Sequence, residues 1–433
     1  MRIWILEIGE PLPLEGDVRL HRYGQFSQFL AKAGHQVTWW TSSFSHAPKK
    51  HFAEADQDVT FNGVTLRMIR GFGYPRNISL ARIRHNRHFA KRFSQLAPQY
   101  EAPDLIIAPI PILEAAGAAM AYAKARQIPV LTDIRDEWPD ELKNLAPKPF
   151  RPFARLLLNR SYRAMTSFCR QVTGIMAVSE RQLSFGLRFA GRPRQNTDLI
   201  FPHGYSPQKI GTEKTAQAES WWTTLGTKPE PLTLCFFGTL GQYFDFATVF
   251  TAFRELKNEI PLQLVIGGTG SSLEAYKKAA ADLPNVIFAG WLEAPQIQVV
   301  MKHSQVGLAP YISDSAMSLP NKPFEYMSAR LAIMSSIQSE LAGLLARHHC
   351  GLTYLSNDVA ALKQGLRQLY ADPTETKAMG ERGFQLWAAQ FNTDAIFNHV
   401  TLHLEKVVQN WANTRNASSD LPLTESVQQD KQI

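Results

Sequence analysis

Short apolar runs alternate with amphipathic segments along most of the chain, and this alternation predicts strands separated by helices. In the first half the helical spacing of Tyr23, Phe26 and Leu30 predicts an amphipathic helix between the first two strands. Asn62 and Gly63 are typical of a two-residue hairpin turn, so residues 58–69 are expected to form a hairpin. The other strands predicted in this half are residues 2–8, 37–41, 105–108, 130–132 and 174–178.

The second half repeats this alternation after a change of composition. Residues 202–231 are rich in Thr, Gly, Lys, Glu and Pro, as expected of a linker. Beyond residue 358 the pattern is mostly helical, and residues 413–433 are polar without periodicity, so we expect them to be disordered. The strands predicted in this half are residues 232–237, 262–266, 286–288, 306–309, 332–335 and 352–354.

Alternating strands and helices indicate parallel sheets covered on both faces. The sequence therefore predicts an α/β fold with two doubly wound, Rossmann-like domains that face each other across a cleft. Its 433 residues also favour two domains over one. The predicted divisions are residues 1–201, a linker at 202–231, a second domain at 232–390 and a helix at 391–412, with the C-terminal helices packing back on the first domain.

Several classes of protein are disfavoured by composition. No run of about 18 apolar residues occurs, so no membrane-spanning helix is expected. The first residues, MRIWILEIGE, fit a first strand better than a signal peptide. Cys169, Cys235 and Cys350 have no metal-ligand spacing, and we expect them to be reduced core residues of a cytoplasmic protein.

The net charge of +8 is concentrated in two stretches. Residues 76–92 and 148–170 contain Arg and Lys interleaved with apolar side chains, and neither stretch contains an acidic residue. Solvated helix faces would explain the pattern, and so would docking on anionic lipid headgroups. Nucleic-acid binding is the weakest alternative, because no known nucleic-acid motif is present.

Two glycine-containing loops follow predicted strands of the second half. In FFGTLGQYFDF, Gly238 and Gly241 allow a close approach to an anionic ligand, although a simple turn explains them equally well. In VIGGTGSSLEAY the glycines do not form the dinucleotide fingerprint, and the acidic residue of a nicotinamide site is missing. A nicotinamide cofactor is therefore disfavoured.

The stretch SLPNKPFEYMSARLAIMSS predicts a short helix with chemistry at its start. Asn321 is a candidate N-cap, and Pro323 suits the first turn. Helical spacing puts Lys322 and Glu325 on one side. They could bind a diphosphate and a ribose, or they could form an exposed ion pair of about 0.3–0.5 kcal/mol.

A charged loop follows a strand of the first half. The segment LTDIRDEWPDEL places Arg135 and Asp136 at the carboxyl end of this strand, where ligands are usually bound. The charges could hold the loop together through Arg–Asp pairs, or they could position an acceptor hydroxyl.

The order of these motifs resembles that of a known family from residue 1 to about residue 410. The stretches LAKAGHQVTWWT, DIRDEWP, FFGTL, GGTG before NVIFAGWL, and PNKPFEYMSA resemble the family 4 retaining glycosyltransferases with the GT-B fold. Within that family the chain is most similar to bacterial enzymes that build O-antigen and other surface polysaccharides, including lipopolysaccharide.

The resemblance implies roles for the donor-side residues. Glu325 matches the second glutamate of a paired-glutamate motif that holds the donor ribose, and Lys322 beside Asn321 would face the donor. Gly238 and Thr239 match the loop near the donor phosphates.

Further residues match the nucleoside and acceptor regions. Gly268 and Gly270 match the glycine loop near the nucleoside, and Leu292 falls where the base is cradled. The loop at Arg135 and Asp136 matches the region where many members keep a histidine beside the reacting sugar.

The chain departs from the family pattern at several positions. Met317 stands eight residues before Glu325, where the resemblance implies the first glutamate, and Arg330 stands near a usual glycine. The N-terminal double-glycine loop is replaced by PLPLEGDVRL, so Gly16, Asp17 and Arg19 become the expected acceptor-side loop.

The resemblance implies a retaining enzyme that transfers a sugar from a UDP- or GDP-linked donor to a hydroxyl of a lipid-linked saccharide. We expect no metal or cofactor, no nucleic-acid partner, and a peripheral position on the cytoplasmic face of the cell membrane. A sugar-nucleotide epimerase of the same architecture and a catalytically silent member of a polysaccharide assembly complex remain alternatives.

Overall fold

The computed structural model describes residues 1–14, 20–46, 49–313 and 319–419, without the side chains of 416–419. Two compact units are present. Unit 1 comprises residues 1–177, 182–201 and the chain from Phe397 onward, and unit 2 comprises residues 178–181 and 202–396. Gly16, Asp17, Arg19 and Met317 lie outside the described residues.

Unit 1 is built on an eight-stranded sheet with the order β3-β4-β2-β1-β5-β6-β7-β8. All neighbouring strands are parallel except β3 and β4, which form the predicted hairpin. Asn62 and Gly63 have φ values of 47° and 81°, as a two-residue hairpin turn requires. The strands are β1 Arg2–Leu6, β2 Gln36–Ser42, β3 Gln57–Phe61, β4 Val64–Ile69, β5 Leu105–Ile110, β6 Val130–Ile134, β7 Gly174–Ala177 and β8 Leu199–Ile200.

Helices cover both faces of this sheet because its central strands are apolar on both sides. On one face an aromatic cluster fills the space, with Trp40 lying 5.1 Å from Trp4 and 4.9 Å from Phe93 between ring centroids. The helices are α1 Arg22–Lys32, α2 Leu80–Leu96, α3 Leu113–Arg126, α4 Asp140–Leu145, α5 Arg151–Leu157, α6 Asn159–Cys169 and α7 Glu180–Ala190.

Unit 2 contains a six-stranded parallel sheet with the order β11-β10-β9-β12-β13-β14. Its central strand packs against both layers, since Leu234 and Phe236 join one apolar cluster while Cys235 and Phe237 join another. The strands are β9 Leu232–Phe237, β10 Leu262–Gly267, β11 Val286–Gly290, β12 Val306–Ala309, β13 Ala332–Ser335 and β14 Gly351–Thr353. The predicted doubly wound fold is confirmed in both units.

The segment predicted as a linker, residues 202–231, differs from that expectation. It contains helix α8, and Trp222 of this helix is buried in the core of unit 2. The polar composition of this segment favoured a linker, although the segment contains a helix with one apolar face. The helices of this unit are α8 Thr212–Thr224, α9 Phe246–Leu256, α10 Leu273–Ala279, α11 Ala294–Lys302, α12 Asn321–Ser328, α13 Glu340–His348, α14 Val359–Ala371 and α15 Pro373–Leu386.

The last helix, α16 Thr393–Ser419, packs on unit 1 from Phe397 onward, as predicted. The Phe397 ring lies 5.1 Å from Phe26, and the Trp411 indole donates a hydrogen bond to the Gln127 carbonyl. Residues 413–419, expected to be disordered, continue this helix. Residues 420–433 lie outside the described part of the chain.

The three cysteines are buried and free, as the sequence predicts. Burial raises the pKa of Cys169 and Cys235 to about 12, so neither thiol is reactive at neutral pH. Among the described residues, no helix is long and apolar enough to cross a bilayer.

Candidate functional site

The candidate site of unit 2 lies where the strand order reverses. The chain runs from β9 outward to β11, then returns to place β12 on the other side of β9. Ligands of doubly wound sheets bind at such a switch point, beyond the carboxyl ends of the strands. The loop at Gly238 follows β9, and helix α12, which contains Lys322, comes after β12.

Gly238 and Lys322 are in direct contact at this point. Gly238 has φ +143°, a conformation that side-chain-bearing residues rarely adopt. A Cβ atom at this position would lie 2.7 Å from the Lys322 Nζ atom. The lysine therefore fills the space that the missing side chain leaves open.

The three loops at this edge are joined by backbone hydrogen bonds. Gly238 N–H donates to the Gly267 carbonyl at 3.0 Å, and Leu240 N–H donates to the Thr269 carbonyl at 2.9 Å. Gly268 N–H reaches the Gly290 carbonyl at 2.6 Å. Cβ atoms at Gly268 and Gly270 would overlap the carbonyls of Gly238 and Leu240. Glycines predicted as ligand contacts are thus also required for loop packing.

Lys322 is packed between aromatic rings. Its Nζ atom lies 5.2 Å from the centroid of Phe236 and 5.4 Å from that of Phe244, within the range of cation–π attraction. Burial lowers the pKa of Lys322, and the charge of Glu325 opposes this shift. This environment differs from the exposed ion pair that spacing alone allowed.

Helix α12 buries the residues predicted to face the core, but its N-cap differs from the predicted one. Phe324 and Met327 are buried, as expected, while Glu325 is half-buried. The N-cap position is Pro320, and Asn321 is the first helical residue with an exposed side chain. The prediction of Asn321 as N-cap is wrong because Pro320 already supplies the extended backbone that precedes the first turn.

The other donor-side predictions are placed at the same edge in different environments. Thr239 is exposed, and its carbonyl accepts a hydrogen bond from Gly241 N–H. Leu292 is buried where a Cβ atom at Gly267 would collide with it. It packs beneath the loop and offers little surface to a ligand.

Unit 1 contains a separate charged cluster at the carboxyl ends of β1 and β6. Arg135 donates to Glu7 and Glu10 at 2.8 Å each, and both carboxylates are buried. Of the two alternatives for this loop, Arg–Asp pairing is not formed by Arg135, whose partners are the glutamates after β1. Asp136, the other predicted catalytic residue, has an exposed side chain that is affected by the charges of this cluster. Partial desolvation raises the pKa of Asp136, and the charge of Arg135 opposes this shift.

Glu10 of this cluster is also held by backbone hydrogen bonds. Glu10 accepts hydrogen bonds from the backbone N–H groups of Tyr23 and Gly24 at 2.9 and 3.1 Å. Burial, opposed by Arg135 and reinforced by Glu7, raises the pKa of Glu10 to about 7. Because burial outweighs the attraction of Arg135, Glu10 is partly protonated near neutral pH.

A second pair lies beside it. Arg22 is hydrogen-bonded to Asp133, which also accepts from the Tyr23 hydroxyl at 2.9 Å. Asp133 is fully buried. The cluster therefore fixes the start of helix α1 to the ends of two strands, and its visible role is to position backbone.

Comparison with solved structures identifies the architecture. The chain shares a TM-score of 0.66 and 15% identity with sucrose-phosphate synthase from Thermosynechococcus elongatus, over 94% of this chain and 99% of that one. Anabaena HepE in complex with UDP gives a TM-score of 0.64 at 12% identity, over 94% and 99% of the two chains. A trehalose 6-phosphate synthase from Burkholderia multivorans gives 0.64 at 15% identity, over 96% and 98%. The expected GT-B fold is confirmed.

Two family models match successive parts of the chain. The model "Glycosyltransferase Family 4" matches residues 24–202, and "Glycosyl transferases group 1" matches residues 231–372. The chain is a glycosyltransferase of the GT-B type. No curated protein matches its sequence significantly.

The structure explains one departure of this glycosyltransferase from its family pattern. Arg330 follows helix α12 with φ 60°, a left-handed conformation that favours glycine. Its side chain pairs with Glu381 at 2.8 Å and lies over the Phe384 ring at 3.5 Å from the centroid. These contacts offset part of the backbone strain, so the arginine is accommodated away from the lysine site.

Sequence reasoning about the glycosyltransferase missed two residues beside the donor-side loops. Trp291 directly follows β11, and 66% of its side chain is exposed. Asp245 is buried and accepts hydrogen bonds from Thr248, Ser356 and the Asn357 N–H, which hold its pKa below the usual range. An exposed tryptophan after a strand was the available signal for the first, whereas no local signal announced the second.

Proposed function

We propose that this chain is a retaining glycosyltransferase that moves a sugar from a nucleoside diphosphate to a hydroxyl of a lipid-linked saccharide during cell-surface polysaccharide synthesis, such as that of O-antigen or lipopolysaccharide. The observation that carries the proposal is the Lys322 ammonium seated over Gly238 at the switch point of unit 2.

Charge stabilisation is the proposed task of this lysine. When the glycosidic bond of the donor breaks, negative charge grows on the departing diphosphate. A cation held in a partly desolvated position stabilises that charge without reorganisation. In a front-face mechanism the diphosphate also accepts the proton of the attacking hydroxyl. The protein then has chiefly to orient the two substrates.

The donor is proposed to be a UDP-sugar, with a GDP-sugar as the alternative. HepE, which shares the fold, is described in complex with UDP and with UDP-glucose. Glu325, half-buried on the same helix as Lys322, is proposed to accept hydrogen bonds from the donor ribose. Gly238 and Gly268 let the loop backbone come close to the nucleotide.

The acceptor is proposed to be presented at a membrane surface. The two basic stretches, 76–92 and 148–170, expose arginines beside large apolar side chains. Such surfaces bind anionic lipids peripherally. We therefore place the enzyme on the cytoplasmic face of the cell membrane. The exposed apolar residues in and beside these stretches are Phe72, Ile78, Leu80, Ile83, Leu145, Phe150, Phe153, Leu156 and Leu157.

Metal independence is part of the proposal. One Asp-x-Asp triplet, Asp56-Gln57-Asp58, begins at the edge strand β3. Asp56 pairs with Arg92 at 2.5 Å, and Asp58 pairs with Arg67 at 2.7 Å. Arginine partners already engage both carboxylates. Full transfer activity after treatment with EDTA is the expected result.

A thermal-shift screen against UDP-, GDP- and dTDP-sugars tests the donor assignment. A rise in the melting temperature with one nucleotide class identifies the donor, and incubation with that donor and a membrane extract should then release the free nucleoside diphosphate. Stabilisation by none of the nucleotides would favour the catalytically silent alternative. Conversion of the donor sugar in the absence of any acceptor would favour the epimerase.

A further inference from the structure

A cavity of about 760 Å³ opens in unit 1 between helices α2, α4 and α6 and the start of α3. This volume is within the usual range for small-molecule sites, roughly 300–1,000 Å³. The cavity lies beyond the ends of β5 and β6, since its wall includes Ile112 after the first strand and Asp136 after the second. Parallel α/β sheets bind ligands at this edge.

The two basic stretches, distant in sequence, meet at this cavity. Residues 77–87 form one wall, and residues 158–164 form another. Ile78, Leu80 and Ile83 contribute aliphatic side chains from the first stretch, and 84% of Leu80 is exposed. Leu158 comes from the second stretch, and Trp138 also lines the cavity. An apolar wall this accessible favours occupation by an apolar ligand.

The basic and acidic side chains that line the cavity come from different parts of the chain. Arg82, Arg87 and Arg160 come from the two basic stretches. Carboxylates come from the strand ends and the helices that follow them, as Asp136 and Glu141 show. Within the described ranges, no salt bridge joins any of the three arginines to an acid. Arg82 donates a hydrogen bond to the Asn77 carbonyl at 2.9 Å and lies over the Tyr74 ring. Guanidinium groups without an acidic partner can bind a phosphate, and carboxylates suit sugar hydroxyls.

We infer that this cavity binds the acceptor through its lipid, with the apolar chain against Ile78, Leu80 and Ile83 and the phosphate or diphosphate at the arginines. The inference rests on the proposed function, because it requires a lipid-linked acceptor. Aliphatic side chains, guanidinium groups without an acidic partner, and carboxylates in one cavity match the three chemical parts of such a molecule.

This role differs from docking on a bilayer surface. Phe153 and Leu156 of α5 are more than 60% exposed but do not line the cavity. They are placed to contact a bilayer, whereas the cavity is placed to enclose a single chain. The enzyme would therefore recognise the lipid of its acceptor in addition to the saccharide.

Calorimetry of the full chain with farnesyl diphosphate tests the inference, because this probe carries a soluble isoprenyl chain on a diphosphate. We expect saturable binding, and at least tenfold weaker binding of both farnesol and inorganic pyrophosphate. The double variant Leu80→Ser/Ile83→Ser should weaken farnesyl diphosphate binding about tenfold, since it removes the apolar wall. Leu402→Ser, an exposed leucine of α16 away from the cavity, should leave binding unchanged.

A second pair of measurements separates the cavity from the membrane surface. Phe153→Ser should reduce sedimentation with vesicles of phosphatidylglycerol and leave farnesyl diphosphate binding intact. Arg87→Gln should weaken farnesyl diphosphate but leave farnesol unchanged. Equal binding of farnesyl diphosphate by wild type and Leu80→Ser/Ile83→Ser would overturn the inference.

Failure of the proposed function would look different. UDP-dependent stabilisation is measured at unit 2 and does not involve the cavity. Farnesyl diphosphate binding without any nucleotide binding would contradict the transferase proposal and leave the lipid site standing. Nucleotide binding and transfer to a soluble acceptor, without any binding of farnesyl diphosphate, would contradict the lipid site alone.

Discussion

The Lys322 ammonium occupies the space in which a side chain at Gly238 would have to stand, 2.7 Å from the position of its Cβ atom. Loop and helix are therefore matched to each other. The glycine lets the lysine reach the end of β9, and the lysine reaches it between Phe236 and Phe244. This contact between Gly238 and Lys322 identifies the residues whose replacement should affect donor binding and turnover.

Replacing Gly238 with alanine should abolish donor binding. The new Cβ atom would collide with Lys322, and φ +143° is strained for alanine. Gly241→Ala is the matched control, because its new Cβ atom would lie 3.9 Å from the Tyr243 side chain, an ordinary van der Waals distance. Thermal shift with UDP measures both variants. A normal UDP response in Gly238→Ala would contradict the proposed site.

Replacing Lys322 with alanine should lower turnover by about 100- to 1,000-fold with the fold retained, because a preorganised positive charge facing the leaving group is lost. Lys278→Ala, an exposed lysine of α10, serves as control. The measurement is the rate of nucleoside diphosphate release with circular dichroism as the check of folding. Unchanged turnover in Lys322→Ala would remove this residue from the mechanism.

Replacing Glu325 with alanine should weaken binding of the free nucleotide about tenfold, as expected when hydrogen bonds to a charged group are lost. Calorimetry with UDP and with GDP gives the dissociation constants and also identifies the base preference. Glu274→Ala, whose carboxylate is paired with Lys277 at the surface, should have no effect. Equal affinities in Glu325→Ala and wild type would show that the Glu325 carboxylate does not bind the nucleotide.

Replacing Arg135 tests whether this residue stabilises unit 1 or takes part in catalysis. Arg135→Met leaves Glu7 and Glu10 buried without their cation, which should cost about 3–5 kcal/mol of unfolding free energy. Arg254→Met, which breaks an exposed pair with Asp282, should cost less than about 1 kcal/mol. Urea denaturation measures both. Loss of transfer in Arg135→Met at unchanged stability would instead place Arg135 at the substrate.

The raised pKa of Glu10 leads us to expect that the free energy of unfolding falls as the pH rises from 4.5 to about 7. Its folded pKa of about 7 exceeds the ordinary value of 4.5, so the folded state binds the extra proton between these values. The contribution to stability is fully present below pH 4.5 and is lost as pH rises to about 7, with a size on the order of 3 kcal/mol. Glu10→Gln should flatten the pH profile of the unfolding free energy in this window. An identical slope in wild type and variant would show that another group titrates there.

Local chemistry was sufficient to predict most elements of the fold. Strand β9 is an apolar run between turn residues and was predicted at its observed bounds, as were β12 and β13. Asn62-Gly63 gave the hairpin because few dipeptides tolerate positive φ at both positions. Helix α8 was missed because its apolar face is narrow, and Trp222 is buried only through tertiary contact with unit 2.

The sequence by itself determined the alternating architecture, the short helix at Lys322 and the two basic stretches, since these depend on periodicity, turn chemistry and charge within a few residues. Tertiary structure alone decided which distant groups meet. It paired Arg135 with Glu7 and Glu10, and it brought residues 77–87 and 158–164 around one cavity. The strand order sets these juxtapositions, because it places the carboxyl ends of strands far apart in sequence at one edge of a sheet.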